Sequence, residues 1–246
     1  MKLTVVDNYF QLSQKAAEII TDQIISKPNT ILGLPTGRTP LGMYESLISR
    51  YQQGQLTFKD VTTFNIDEFL GISEDNPISY HSYMNYYFFD HIDIDKENTF
   101  LPPSNPEDPI IAAANYEQKV KENPVDLMIL GLGTNGHIGF NEPGNSLRED
   151  THVTELSDQT IINNKKLLKK TLGNESKDDY AIPDKAITMG IGTILSAQKL
   201  LIIANGSEKA PVIKQLFSPE ITTRLPASLV KLHSNVTIIV DGEAYN

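Results

Sequence analysis

At 246 residues, 39% of them hydrophobic, the chain is long enough to bury a sizeable core and lies near the upper end of one α/β domain. Its 31 acidic residues against 21 basic ones give a formal net charge of −10, which argues against a general nucleic-acid or anionic-membrane surface, so any anionic ligand must meet locally concentrated positive charge. There is no cysteine, hence no disulfide framework, thiolate nucleophile or zinc–thiolate centre; with no signal-peptide core at the start and no apolar run near the roughly 20 residues of a membrane span, a soluble, cytoplasmic protein is expected.

In chain order, residues 3–6 read as a strand and 9–25 as a helix, with Leu12, Ala16, Ala17, Ile19, Ile20 and Ile24 at helical spacing. A strand at 30–34 leads into the turn Pro35-Thr36-Gly37-Arg38-Thr39 and a helix opened by Pro40, with Thr39 expected as its N-cap. Such a turn presents free backbone N–H groups and a positive dipole end, fit for a phosphate that Thr36, Arg38 and Thr39 would reinforce. The alternative is an ordinary capped helix, since no complete P-loop signature is present. Residues 61–66 read as the next strand, ending in Asp67-Glu68, a pair suited to proton transfer where substrate reaches it and to solvation or capping otherwise. Residues 77–91, rich in tyrosine and phenylalanine, predict a helix whose aromatics are mostly core; the proline-dense 101–109 follows as a loop, then a helix at 110–122.

Residues 126–130, DLMIL, predict a buried parallel strand. Gly131, Gly133 and Gly136 break it and deliver Asn135, His137 and Glu142 to the carboxyl edge of the sheet, where open α/β folds place ligands. A histidine among glycines also reads as a loop residue satisfied by its neighbours. Residues 145–184 are the least regular, a candidate lid, and the cluster Lys165, Lys166, Lys169, Lys170 within them reads as a solvated helix face. Strands at 186–189, 200–204 and 236–240 and a helix at 192–197 complete the pattern. After the 200–204 strand, Ser207 is expected to cap a helix with Lys209 in its first turn, where a cation opposes the helix dipole and a bound anion would compensate. The expected architecture is α/β, a single domain over 1–246 with an open, mainly parallel sheet and helices on both faces, Rossmann-like and doubly wound.

Four motifs in this order, GLPTGRTP from Gly33, FNIDEF from Phe64, GTNGHIGFNEPG from Gly133 and GSEKA from Gly206, resemble the glucosamine-6-phosphate deaminase family over essentially the whole chain. The resemblance implies conversion of glucosamine 6-phosphate to fructose 6-phosphate and ammonia, with no metal or organic cofactor. It implies that His137 shuttles the proton that opens the sugar ring while Asn135 and Glu142 orient and tune it. Asp67 would take the proton from carbon 2 and return it to carbon 1 through an enolamine. The phosphate would lie on Thr36, Gly37, Arg38 and Thr39 and meet Lys209, with Lys165 a further candidate where many members carry arginine; lysine lacks arginine's bidentate fork. Many members also carry aspartate where this chain has Asn135. Some are activated by N-acetylglucosamine 6-phosphate at a second phosphate site between subunits, and in the matching stretch, 145–154, His152 and Thr154 stand where the basic contacts would be. The resemblance thus implies a small-molecule sugar-phosphate partner, no nucleic acid and no membrane, with monomer or homo-oligomer left open. The alternatives are a 6-phosphogluconolactonase-type hydrolase and a non-catalytic sugar-phosphate sensor of the same fold.

Overall fold

Runs of apolar residues bounded by glycine and proline form the strands of the computed structural model, which describes residues 1–157, 160–162, 164–165 and 182–246. In chain order the elements used below are β1 (Lys2–Val6), α1 (Tyr9–Ser26), β2 (Ile31–Leu34), α2 (Leu41–Gln52), β3 (Thr62–Asn65), β4 (Asp67–Phe69), α3 (Tyr80–Tyr87), β5 (Thr99–Phe100), α4 (Pro109–Glu122), β6 (Leu127–Gly131), β7 (His152–Glu155), β8 (Lys185–Thr188), α5 (Ile191–Leu195), β9 (Leu200–Ala204), α6 (Ala210–Leu216) and β10 (Val236–Asp241). Local signals set several boundaries. The Asn8 side chain accepts the Gln11 N–H to start α1, and Asp108 accepts from Ile110 and Ile111 with Pro109 at the head of α4.

Seven strands form a parallel sheet in the order β1-β10-β9-β6-β2-β3-β5. From the β6–β2 junction the chain winds outward both ways, through β3 and β5 on one side and β9 and β10 on the other. That junction is the topological switch point, and the turns after β2 and β6 both open there. β6 shows why its residues are apolar without alternation: Leu127 and Ile129 pack with α1 and α2, whereas Met128 and Leu130 pack with α4 and α6. Both faces are covered, so the polar end of the strand is its carboxyl edge. At the opposite edge Asp126 accepts from Lys27 Nζ, Thr30 Oγ1 and the Ile31 N–H, tying the starts of β2 and β6 together.

Three expectations are corrected and one is extended. Asp67 follows the parallel strand β3 as expected, and it also opens β4, which pairs antiparallel with β8, and β8 with β7, in a second, three-stranded sheet. The 77–91 helix is shorter, α3 ending where Phe88 leaves helical geometry, and Tyr86 is 71% exposed while Tyr80 and Met84 are buried. Thr39 does not cap α2: its hydroxyl is engaged elsewhere, Pro40 stands at the cap, and the first-turn Gly42 N–H is accepted by the Tyr9 hydroxyl. Nor does Ser207 cap α6, because residues Ser207–Lys209 form a tight 3₁₀ turn ahead of it with no side-chain cap. Of the basic cluster, Lys166, Lys169 and Lys170 lie outside the described residues, as does much of the 145–184 candidate lid. Among the described residues no helix is long and apolar enough to cross a membrane.

Candidate active site

The loop after β6 folds back on itself through the Gly133 N–H to the His137 carbonyl and the Gly136 N–H to the Gly133 carbonyl, both 3.0 Å. His137 lies directly over Gly133, where an added Cβ would come within 2.5 Å of the imidazole ring, so only glycine lets the ring sit there. Three partners surround Glu142. The Asn135 amide donates to its Oε2 at 2.7 Å, the Thr160 hydroxyl donates to its Oε1, and His137 Nδ1 stands 3.6 Å from Oε1. That last distance is an ion-pair spacing rather than a hydrogen bond, and Nδ1 has no hydrogen-bond partner among the described residues. Burial pushes the Glu142 pKa up, but His137, Thr160 and Asn135 outweigh it and hold the carboxylate at about 2. Asn135 also accepts the His137 N–H at 3.1 Å, so one exposed amide fixes both backbone and carboxylate.

Asp67 faces the same loop. A Cβ on Gly139 would lie 3.4 Å from Asp67 Oδ2 and 2.9 Å from Thr188 Oγ1, which places this carboxylate two residues along from the histidine. It is 8% exposed, and burial, followed by the neighbouring Glu68 carboxylate, raises its pKa to about 8. Glu68 is held by the N–H groups of Phe69, Tyr80 and His81, with His81 Nδ1 2.8 Å away. The second sheet does the positioning. Thr188, opposite Asp67 in the register, accepts the Phe140 N–H at 3.1 Å, and the Asn141 amide donates to the Met189 carbonyl at 2.8 Å. Thr160, Thr188 and Asn141 were not singled out in the sequence; only Asn141, inside the glycine-rich motif, carried a local signal.

The turn after β2 supplies the complementary half. The N–H groups of Thr36, Gly37, Arg38 and Thr39 have no acceptor among the described residues, and Arg38 is exposed. Gly37 has φ +95° with open space around its missing Cβ, so conformation rather than crowding requires glycine. Thr39 Oγ1 donates to Asn205 Oδ1 at 2.8 Å, joining this turn to the loop after β9 that leads to Lys209. The Lys209 ammonium has no hydrogen bond or ion pair among the described residues, and burial lowers its pKa against the opposing effect of Glu208. An unpartnered, half-buried cation on a loop that is hydrogen-bonded to the turn with the free N–H groups suits an anion. Lys165 is exposed, and nothing among the described residues ties it to the turn.

The model of the glucosamine-6-phosphate isomerases/6-phosphogluconolactonase family matches residues 8–239. The chain belongs to that family. It is 47% identical over 245 residues to a glucosamine-6-phosphate deaminase of Thermoanaerobacter sp. (strain X514), covering 99% of this chain and 94% of the relative. A deaminase of Clostridium perfringens (strain 13 / Type A) is 44% identical, with 99% and 98% covered. Among solved structures, a monomeric glucosamine-6-phosphate deaminase superposes with a TM-score of 0.90 at 42% identity, over 99% of this chain and 98% of that one. The 6-phosphogluconolactonase of Leishmania guyanensis reaches a TM-score of 0.73 at 20% identity, over 99% and 97%, and shares the fold. Members of both activities therefore use this sheet, and the chemistry has to be argued from the residues on the loops.

Proposed function

We propose that the protein deaminates glucosamine 6-phosphate with uptake of water, giving fructose 6-phosphate and ammonia. The observation that carries this reading is the pair of carboxylates tuned in opposite directions around one loop, Asp67 with a pKa near 8 and Glu142 near 2, where the loop also carries His137 with its Nδ1 3.6 Å from Glu142 Oε1. Burial disfavours the charged Asp67, which makes it a strong proton acceptor once ionised and able to give the proton back, as transfer from carbon 2 to carbon 1 requires. Glu142 stays ionised across the working range and supports the imidazolium that forms as His137 takes the proton of the carbon-1 hydroxyl and delivers it to the ring oxygen, whose bond to carbon 1 breaks. The N–H groups of residues 36–39 and Lys209 hold the phosphate, which positions carbons 1 and 2 under the two proton carriers. The high identity to named deaminases supports the same reading, against 20% to a lactonase.

The test is direct. Purified protein with EDTA present should release ammonia from glucosamine 6-phosphate; hydrolysis of 6-phosphogluconolactone without ammonia would replace the reading by a lactonase. We also infer that the protein acts as a monomer, as its 42% identical structural neighbour is described. A single monomeric boundary in sedimentation velocity, unchanged by substrate, is the expected result.

A further inference from the structure

We propose that three tyrosines, Tyr9, Tyr44 and Tyr83, are positioning residues for phosphate binding: their hydroxyls pin the carbonyls of the 35–39 turn outward and so hold its N–H groups toward the ligand. This rests on the reading of that turn as the phosphate site. Each tyrosine comes from a different helix. Tyr44 of α2 donates to the Pro35 carbonyl at 2.6 Å, and Tyr83 of α3 donates to the Gly37 carbonyl at 2.6 Å. Tyr9 of α1 shares its proton between the Arg38 and Thr39 carbonyls, at 3.2 and 3.1 Å, while its oxygen accepts the Gly42 N–H at 2.8 Å.

In a trans peptide the carbonyl of one residue and the N–H of the next lie in one plane and point opposite ways. Fixing the carbonyls of Pro35, Gly37 and Arg38 therefore fixes the N–H groups of Thr36, Arg38 and Thr39, and these are among the four donors that have no acceptor among the described residues. The Arg38 carbonyl also accepts the Leu41 N–H at 3.3 Å, which reinforces the same orientation. Thr39 is followed by Pro40, so its pinned carbonyl sacrifices no donor. Burial raises the pKa of Tyr44 and Tyr83, so both remain protonated donors through the neutral range. A glycine-containing turn held only at its ends would lose ordering entropy on binding an anion; clamped from three helices, it meets the anion already shaped.

Tyr83→Phe and Tyr9→Phe remove only hydroxyls, and circular dichroism with thermal melting checks that both variants fold. Titration with inorganic phosphate, and KM for glucosamine 6-phosphate, should each worsen about three- to tenfold, the equivalent of one lost hydrogen bond, with kcat within about twofold. Residual turnover of unphosphorylated glucosamine should fall by less than twofold. Unchanged phosphate affinity and KM in both folded variants would overturn the proposal, as would a loss confined to kcat. Should the wild-type protein release no ammonia at all, the functional reading fails, and the phosphate titration still decides the clamp by itself.

Discussion

Asp67 shows most clearly how one side chain's surroundings set its chemistry. Its pKa of about 8, against 3.8 for a free side chain, means that the folded state keeps a proton which the unfolded chain has lost between about pH 4 and 8. Stability should therefore fall as pH rises across that window and level off above it. Asp67→Asn removes the ionisation, so its melting temperature should gain on the wild type from pH 5 to 8.5; a constant difference would contradict the burial argument. The same variant should abolish exchange of the substrate's carbon-2 hydrogen in solvent-exchange NMR, and wild-type kcat/KM should rise with pH to a limb near 8. Glu142 works with the reverse sign, contributing stability above about pH 4.5 that is lost as pH falls toward 2. Asn135→Ala removes one of the donors that lower it, so carbon-13 NMR of the Glu142 carboxyl should report a higher pKa; an unshifted titration would assign the tuning to His137 and Thr160 alone.

At the scale of elements, helix starts and strand ends face each other across the switch point. Lys209 ends the 3₁₀ turn ahead of α6, while the Thr39–Asn205 hydrogen bond ties the two loops. Lys209→Ala should weaken substrate binding by roughly 1.5–3 kcal/mol, the range for a hydrogen bond to a charged group, with glucosamine lacking phosphate a poor substrate for both proteins. An unchanged KM would remove Lys209 from the site. Thr39→Val keeps shape and deletes the link between loops, at about 1 kcal/mol in the same assay. The α3 aromatics, expected as core, divide their work: Tyr80 packs against Phe69 and Phe140, and Tyr83 reaches out to the Gly37 carbonyl.

The whole molecule joins two sheets around one loop, and the smaller sheet bears on regulation. β7 carries His152 and Thr154, the positions where basic contacts to an activator would be expected. Burial and then the nearby Arg148 charge lower the His152 pKa against the effect of the Asp150 carbonyl, 2.8 Å from its Nδ1, and Thr154 donates to the Glu155 carbonyl. A neutral ring and a hydroxyl bind a phosphate dianion far less well than two permanent cations, and a ligand shifts an equilibrium only by its differential affinity. Initial rates should be hyperbolic in glucosamine 6-phosphate and unresponsive to N-acetylglucosamine 6-phosphate. Sigmoidal curves that become hyperbolic with the acetylated sugar would show a working second site.

The doubly wound sheet was legible in the sequence because burial on both faces writes itself locally, as in Leu127, Met128, Ile129 and Leu130, and because glycine and proline mark strand ends whatever the chain does next. Asp67, Asn135, His137, Glu142 and the 36–39 turn were legible for the same reason: each sits on or just past such an end. The tertiary structure alone decided what those groups touch. Asp67 owes its pKa to burial beside Glu68, and its place to pairing with Thr188 on a strand far along the chain. Thr160 reaches Glu142 from a stretch with no regular pattern, and the hydroxyls of Tyr9, Tyr44 and Tyr83 converge on one turn from three helices. Periodicity records which side of an element is buried, whereas hydrogen-bond partners distant in sequence leave no periodic trace and are set only when the elements pack.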